Sequence, residues 1–90
     1  MTEKLPKIDL ATFFLSISSA AFMSLGVLVA EEAGAAQVDL EMARQNIDLL
    51  ELMLQKTQGN RTPEEDHLLQ QLLFETRMKY LEKQKELSKT

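Results

Sequence analysis

Apolar residues recur along this chain with helical spacing, and polar breaks divide the pattern into three segments. From Leu10 to Ala30 no side chain is charged, while Gly34 interrupts the alanine-rich stretch that follows. The pattern therefore predicts one all-α domain over residues 1–90. Its parts are a first helix over about 9–30, a connector over 31–38, a second helix over about 39–58 and a third helix over about 63–89.

Helix-capping signals mark the breaks between these segments. Asp9 and Asp39 can cap the first and second helices, because an aspartate oxygen accepts hydrogen bonds from the free amides of a first turn. Gly59 and Asn60 supply a left-handed stop after the second helix. The stretch from Thr62 to Glu65 carries a capping box with proline at the first helical position. A break this short predicts that helices two and three form an antiparallel hairpin.

Each helix of this hairpin carries two apolar seams, although one seam per helix is enough to hold a hairpin together. We expect the first seams to form the hairpin core. The second seams must then meet helix one, another copy of the chain or a partner protein. The first seams are Leu40, Ala43, Ile47, Leu50 and Leu54 on helix two, and Leu69, Leu72, Leu73, Thr76 and Tyr80 on helix three.

Helix one is apolar around nearly its whole circumference, and one hairpin cannot cover such a helix. We therefore expect self-association as a dimer or tetramer, with helix one buried between subunits and the second seams in contact. The methionines of those seams could also bind another protein, because methionine adapts to irregular surfaces. The residues expected at the interface are Phe13, Phe14, Ile17, Ala20 and Phe22 of helix one, Met42, Leu49 and Met53 of helix two, and Phe74, Met78 and Leu81 of helix three.

Length, composition and charge exclude some kinds of site and some partners for this protein. A chain of 90 residues is one domain at most, and the lack of cysteine excludes disulfides and thiolate metal sites. The net charge of −4 argues against a general affinity for nucleic acid. The charge is uneven, because the middle of the chain is acidic and the end of helix three is basic.

Several short motifs recur together in this chain: Val38-Asp39-Leu40-Glu41, Ile47-Asp48-Leu49-Leu50, the turn from Lys56 to Glu65, Leu72-Leu73-Phe74 and Arg77-Met78, together with Phe13-Phe14-Leu15-Ser16 in the first helix. Through these motifs the chain resembles the small bacterial family known as domain of unknown function 1844. The resemblance implies a bacterial, cytosolic, helical protein and implies no activity. The connector differs from the longer, proline-containing loop expected of relatives.

Candidate chemistry in the sequence is sparse. Glu64 and His67 have the Glu-x-x-His spacing of di-iron bundles, but a first-turn glutamate is common for its effect on the helix dipole. We therefore predict no metal, no cofactor and no catalytic residues. Arg77 lies among apolar neighbours, and we expect a structural ion pair with Asp48 or Glu51 on the facing helix.

These observations favour a cytoplasmic, non-enzymatic, homo-oligomeric structural or adaptor protein. The alternative is a single-pass inner-membrane or exported protein that uses helix one, since about 20 apolar residues can span a bilayer. Lys4 and Lys7 precede the apolar run, whereas Glu31 and Glu32 follow it, which would place the N-terminus inside.

Overall fold

The computed structural model describes residues 8–27 and 38–88, and the regular structure within those ranges is helical. Helix α1 spans Leu10–Ser24, α2 spans Leu40–Lys56 and α3 spans Pro63–Leu87. Each helix packs against both of the others, and α1 packs most extensively against α2. The predicted all-α class and three helices are confirmed.

The predicted N-caps are present at all three helices. The side chains of Asp9 and Asp39 each accept a hydrogen bond from the amide three residues on, at 2.8 and 3.0 Å. At α3 the hydroxyl of Thr62 accepts from the amide of Glu65 at 3.1 Å, and the carboxylate of Glu65 accepts from the amide of Thr62 at 2.8 Å. These caps satisfy free amides within the first turn, so they form wherever the local sequence permits.

The first helix ends earlier than the sequence predicted. It stops at Ser24 rather than near Ala30, because Gly26 adopts a φ of +78°. The amide of Val27 then donates to the carbonyl five residues back at 2.9 Å, and the amide of Gly26 donates to the carbonyl three residues back at 3.0 Å. These two bonds form a Schellman motif, which closes a helix on a left-handed residue.

Helix α1 is consequently 15 residues long and spans about 22 Å at ~1.5 Å per residue. In the part of the chain that the structure describes, no helix has both the length and the apolar character needed to cross a membrane. The end of α1 lies beside the start of α2, because the amide of Asp39 donates to the carbonyl of Ser24 at 2.7 Å. The predicted connector over 31–38 lies outside the described residues, apart from Val38.

One face of α1 and the first seams of the hairpin form a shared core. Its buried members are Phe14, Ile17 and Ala21 of α1, Ile47 and Leu50 of α2, and Leu69, Leu72 and Leu73 of α3. Helix α1 is therefore covered within its own chain on this face, where the sequence had placed it between subunits. No described residue after Thr76 is buried, although Tyr80 still packs against the core, so α3 leaves the core beyond Tyr80.

An arginine with a largely buried side chain joins α2 to α3 across the turn. The guanidinium of Arg61 donates to the carbonyl of Leu54 and to the hydroxyl of Thr57, both at 2.8 Å. It also donates to one carboxylate oxygen of Asp66, at 2.8 Å from Nη2 and 3.0 Å from Nε. The Arg61 side chain is only 10% exposed. It thus joins the last turn of α2 to the first turn of α3.

Candidate interaction surface

Three large apolar side chains form a ridge on the outer face of α3. Phe74, Met78 and Leu81, here called the α3 ridge, are 64%, 53% and 54% exposed. Their four- and three-residue spacing keeps them on one face of the helix, turned away from the buried face that contains Leu73 and Thr76. Apolar side chains at this spacing are typical of a helix that packs against another helix.

A groove runs along the α1 side of the ridge. Phe22 of α1 and the three ridge residues line it. Glu75 and Glu82 line the same groove, together with Lys79 and Lys85. Lys79 donates to Glu82 at 2.6 Å, and this hydrogen bond is the main reason that the pKa of Glu82 is below its ordinary value. The groove is therefore lined by apolar side chains together with side chains of both charges.

A second cleft lies on the α2 side of the ridge, and Leu81 borders both the groove and this cleft. Arg77 pairs here with Glu51 of α2, at 2.9 Å from Nη2 and 3.3 Å from Nε. Glu51 is one of the two acids that the sequence offered as its partner. Both side chains are about half exposed, so this pair contributes less than a buried one.

Arg44 also lies in the cleft on the α2 side. Its guanidinium carbon lies 6.0 Å from the centre of the Tyr80 ring, and Nε lies 3.6 Å from Asp48. The nearby side chain of Tyr80, followed by attraction to Asp48, raises the pKa of Arg44. Because the arginines of the cleft both face carboxylates, the cleft has no excess positive charge with which to bind an anion.

The remaining residues predicted at the interface differ in how far they are exposed. Phe13, Met42 and Leu49 are exposed, between 41% and 48%. Ala20, Phe22 and Met53 are partly buried. Phe14 and Ile17 are buried in the core of the chain itself, so neither belongs to the exposed surface. Their placement corrects the sequence expectation, because an apolar face that packs inside the chain is no longer available to a second copy.

Within the described residues, the Glu-x-x-His pair has no further metal ligands beside it. Glu64 and His67 are exposed in the first turns of α3, and Glu51 is held by Arg77. Among residues 8–27 and 38–88, no three side chains of the histidine, aspartate or glutamate type stand close enough together to hold a metal ion.

A family model described as "Domain of unknown function (DUF1844)" matches residues 7–82 of the chain. The chain belongs to this family. Comparisons with curated proteins and with solved structures found no match. The DUF1844 match covers α1, α2 and most of α3, so Phe22, Phe74, Met78 and Leu81 all lie inside the family domain.

Sequence reasoning missed two features of this region. The hydrophobic pattern placed Phe22 on helix one but could not show that it faces the α3 ridge. The contact of Arg44 with Tyr80 was also missed, because the pairing depends on the hairpin register. The sequence did contain a signal for this pairing, because Arg44 on α2 and Tyr80 on α3 lie at roughly equal distances from the turn.

Proposed function

We propose that this DUF1844 protein is a non-enzymatic, homo-oligomeric structural or adaptor protein of the bacterial cytoplasm. In this proposal it works by helix-mediated contact, first with copies of itself and then, through its methionine-containing seams, with another protein. The lack of cysteine agrees with a reducing compartment, and the net charge of −4 disfavours nucleic acid as the partner.

The observation that carries the proposal is the α3 ridge. Three neighbouring large apolar side chains, each more than half exposed, are unfavourable in water and typical of a protein interface. Phe74 alone offers a large area, since an aromatic side chain can bury about 150–250 Å². Phe13 of α1 and Met42 and Leu49 of α2 are further large apolar side chains that are exposed.

The proposal is tested by the mass of the full-length protein in solution. Light scattering over a range of concentrations should give a discrete multiple of 10.2 kDa. Substituting glutamate for one exposed apolar residue per helix, as in Phe13→Glu, Met42→Glu and Met78→Glu, should identify the face that associates. Gln55→Glu is the matched control, because Gln55 is exposed and polar. A monomer at every concentration would contradict the proposal.

A further inference from the structure

The α3 ridge has the spacing of a coiled-coil seam. Phe74, Met78 and Leu81 occupy successive d, a and d positions, and Lys85 follows at the next a position. Gln71 occupies the a position before Phe74. The seam therefore contains three apolar layers with a polar residue at each end. Because the ridge is turned away from the core, a second helix can reach it without disturbing α1 or α2.

The two flanks of this seam differ in charge. The e positions are Glu75 and Glu82, and both line the groove on the α1 side. The g positions include Arg77, which lines the cleft on the α2 side, and Gln84, which lines both that cleft and the groove. The e positions are therefore acidic, although Lys79 and Lys85 line the same groove and Lys79 pairs with Glu82, while the g positions carry an arginine and an amide. This asymmetry discriminates between the two ways in which a second α3 could pack on the ridge.

In an antiparallel pair of helices, each e position faces an e position of the other helix. Glu75 would then lie beside the partner's Glu82, and the same repulsion would occur again across the symmetry axis. In a parallel pair, each g position faces the e position five residues further along the other helix. Arg77 would then lie beside the partner's Glu82, so opposite charges meet.

We propose that the α3 ridge is the contact between two copies of this chain, which pack as a parallel two-fold dimer with Arg77 of each copy beside the partner's Glu82. This inference rests on the proposed homo-oligomeric function and names the surface and the orientation. The contact is symmetric, so each dimer contains two such pairs. Arg77 keeps Glu51 as its partner within the chain and bridges the two carboxylates.

Disulfide cross-linking tests the orientation directly, because the chain contains no cysteine of its own. The variants are Phe74→Cys and Leu81→Cys, oxidised alone and as a mixture. In the parallel dimer each variant lies opposite itself, so each alone should give a covalent dimer. In an antiparallel dimer centred on Met78, only the mixture should do so. Gln55→Cys reports the background of random collisions, since Gln55 lies on α2 and is exposed.

Reversing the charge of Glu82 gives an independent test of the orientation of the dimer. Glu82→Arg should weaken the parallel dimer about tenfold or more, because two exposed ion pairs are lost and two like-charge contacts appear. The same substitution should strengthen an antiparallel dimer, where the introduced arginine would meet the partner's Glu75. Glu86→Arg is the matched control, since Glu86 also pairs with a lysine three residues earlier, at 3.4 Å. It should leave the dissociation constant unchanged.

The outcomes separate this inference from the proposed function. Self-cross-linking of Leu81→Cys, together with weakening by Glu82→Arg, supports both. An oligomer whose ridge cysteines stay at the background level refutes the ridge contact and leaves homo-oligomerisation intact. Cross-linking of the mixture alone, or strengthening by Glu82→Arg, refutes the parallel orientation. A wild-type protein that stays monomeric refutes both proposals.

Discussion

Arg61 lies in the turn between α2 and α3, and removing its side chain should lower the free energy of unfolding substantially. Arg61→Ala removes all of the bonds to Leu54, Thr57 and Asp66 at once. The carbonyl of Leu54 belongs to the last turn of α2, where carbonyls lack an amide four residues on. Truncation therefore leaves a helix end and a carboxylate without their donor.

The size of the effect follows from these contacts. A hydrogen bond to a charged group contributes about 1.5–3 kcal/mol, and the loss is smaller where water can replace the donor. Asp66 is 45% exposed and can recover water, whereas Arg61 itself is only 10% exposed. We therefore expect Arg61→Ala to lower the free energy of unfolding by about 2–4 kcal/mol. At about 4–8 °C per kcal/mol, the melting temperature should fall by about 8–32 °C.

The assay is urea and thermal unfolding followed by circular dichroism at one protein concentration, because association also stabilises a fold. Arg44→Ala is the matched control. Arg44 is 64% exposed on the side chain and pairs with Asp48 at 3.6 Å, so its loss should be about 1 kcal/mol or less. Arg61→Lys should fall between wild type and alanine, since lysine keeps the charge but lacks the planar fork.

A loss for Arg61→Ala no greater than that for Arg44→Ala would refute this reasoning. It would mean that water or neighbouring side chains satisfy the turn as well as the guanidinium does. The bonds to Leu54 and Asp66 would then be a consequence of the fold and would add little to its stability.

Three further predictions follow from single residues. Gly59→Ala should lower the free energy of unfolding by about 1–2 kcal/mol, because φ at Gly59 is +83°, a left-handed conformation that is unfavourable for alanine. The added Cβ meets nothing within 4 Å, so no steric clash adds to this cost. Urea unfolding measures the change, and an unchanged free energy of unfolding would contradict a backbone origin. The hydrogen bond from the Thr12 amide lowers the pKa of Asp9 in the folded protein below the ordinary value of 3.8. The Asp9 cap therefore stabilises the fold fully above pH 3.8, and this contribution is lost as the pH falls through the lower pKa of the folded state. The difference in unfolding midpoint between wild type and Asp9→Ala should therefore shrink in acid, and a difference that grew would be inconsistent. Thr76→Val should change the free energy of unfolding by about 1 kcal/mol or less. The reason is that the buried hydroxyl donates only within its own helix, at 2.8 Å to the carbonyl of Leu72. A larger loss in the free energy of unfolding would contradict this prediction.

Local signals were predicted well because they act within one turn. The caps at Asp9 and Asp39 and the capping box at Thr62 need only residues three positions apart. The first seams of the hairpin were also predictable, since the polar arc of each helix shows which side faces water. The end of α1 was missed because apolar residues continue on both sides of Gly26, and their pattern outweighed a single glycine.

The sequence by itself determined three helices, their caps and the short turn that makes a hairpin of α2 and α3. Only the tertiary structure decided which face of α1 is buried, because a helix that is apolar all round has no polar arc to direct it. Packing selected Phe14 and Ile17 for the core and left Phe13 exposed. It also brought Arg61 to Asp66 and Phe22 to the α3 ridge, since such contacts depend on how the elements meet in space.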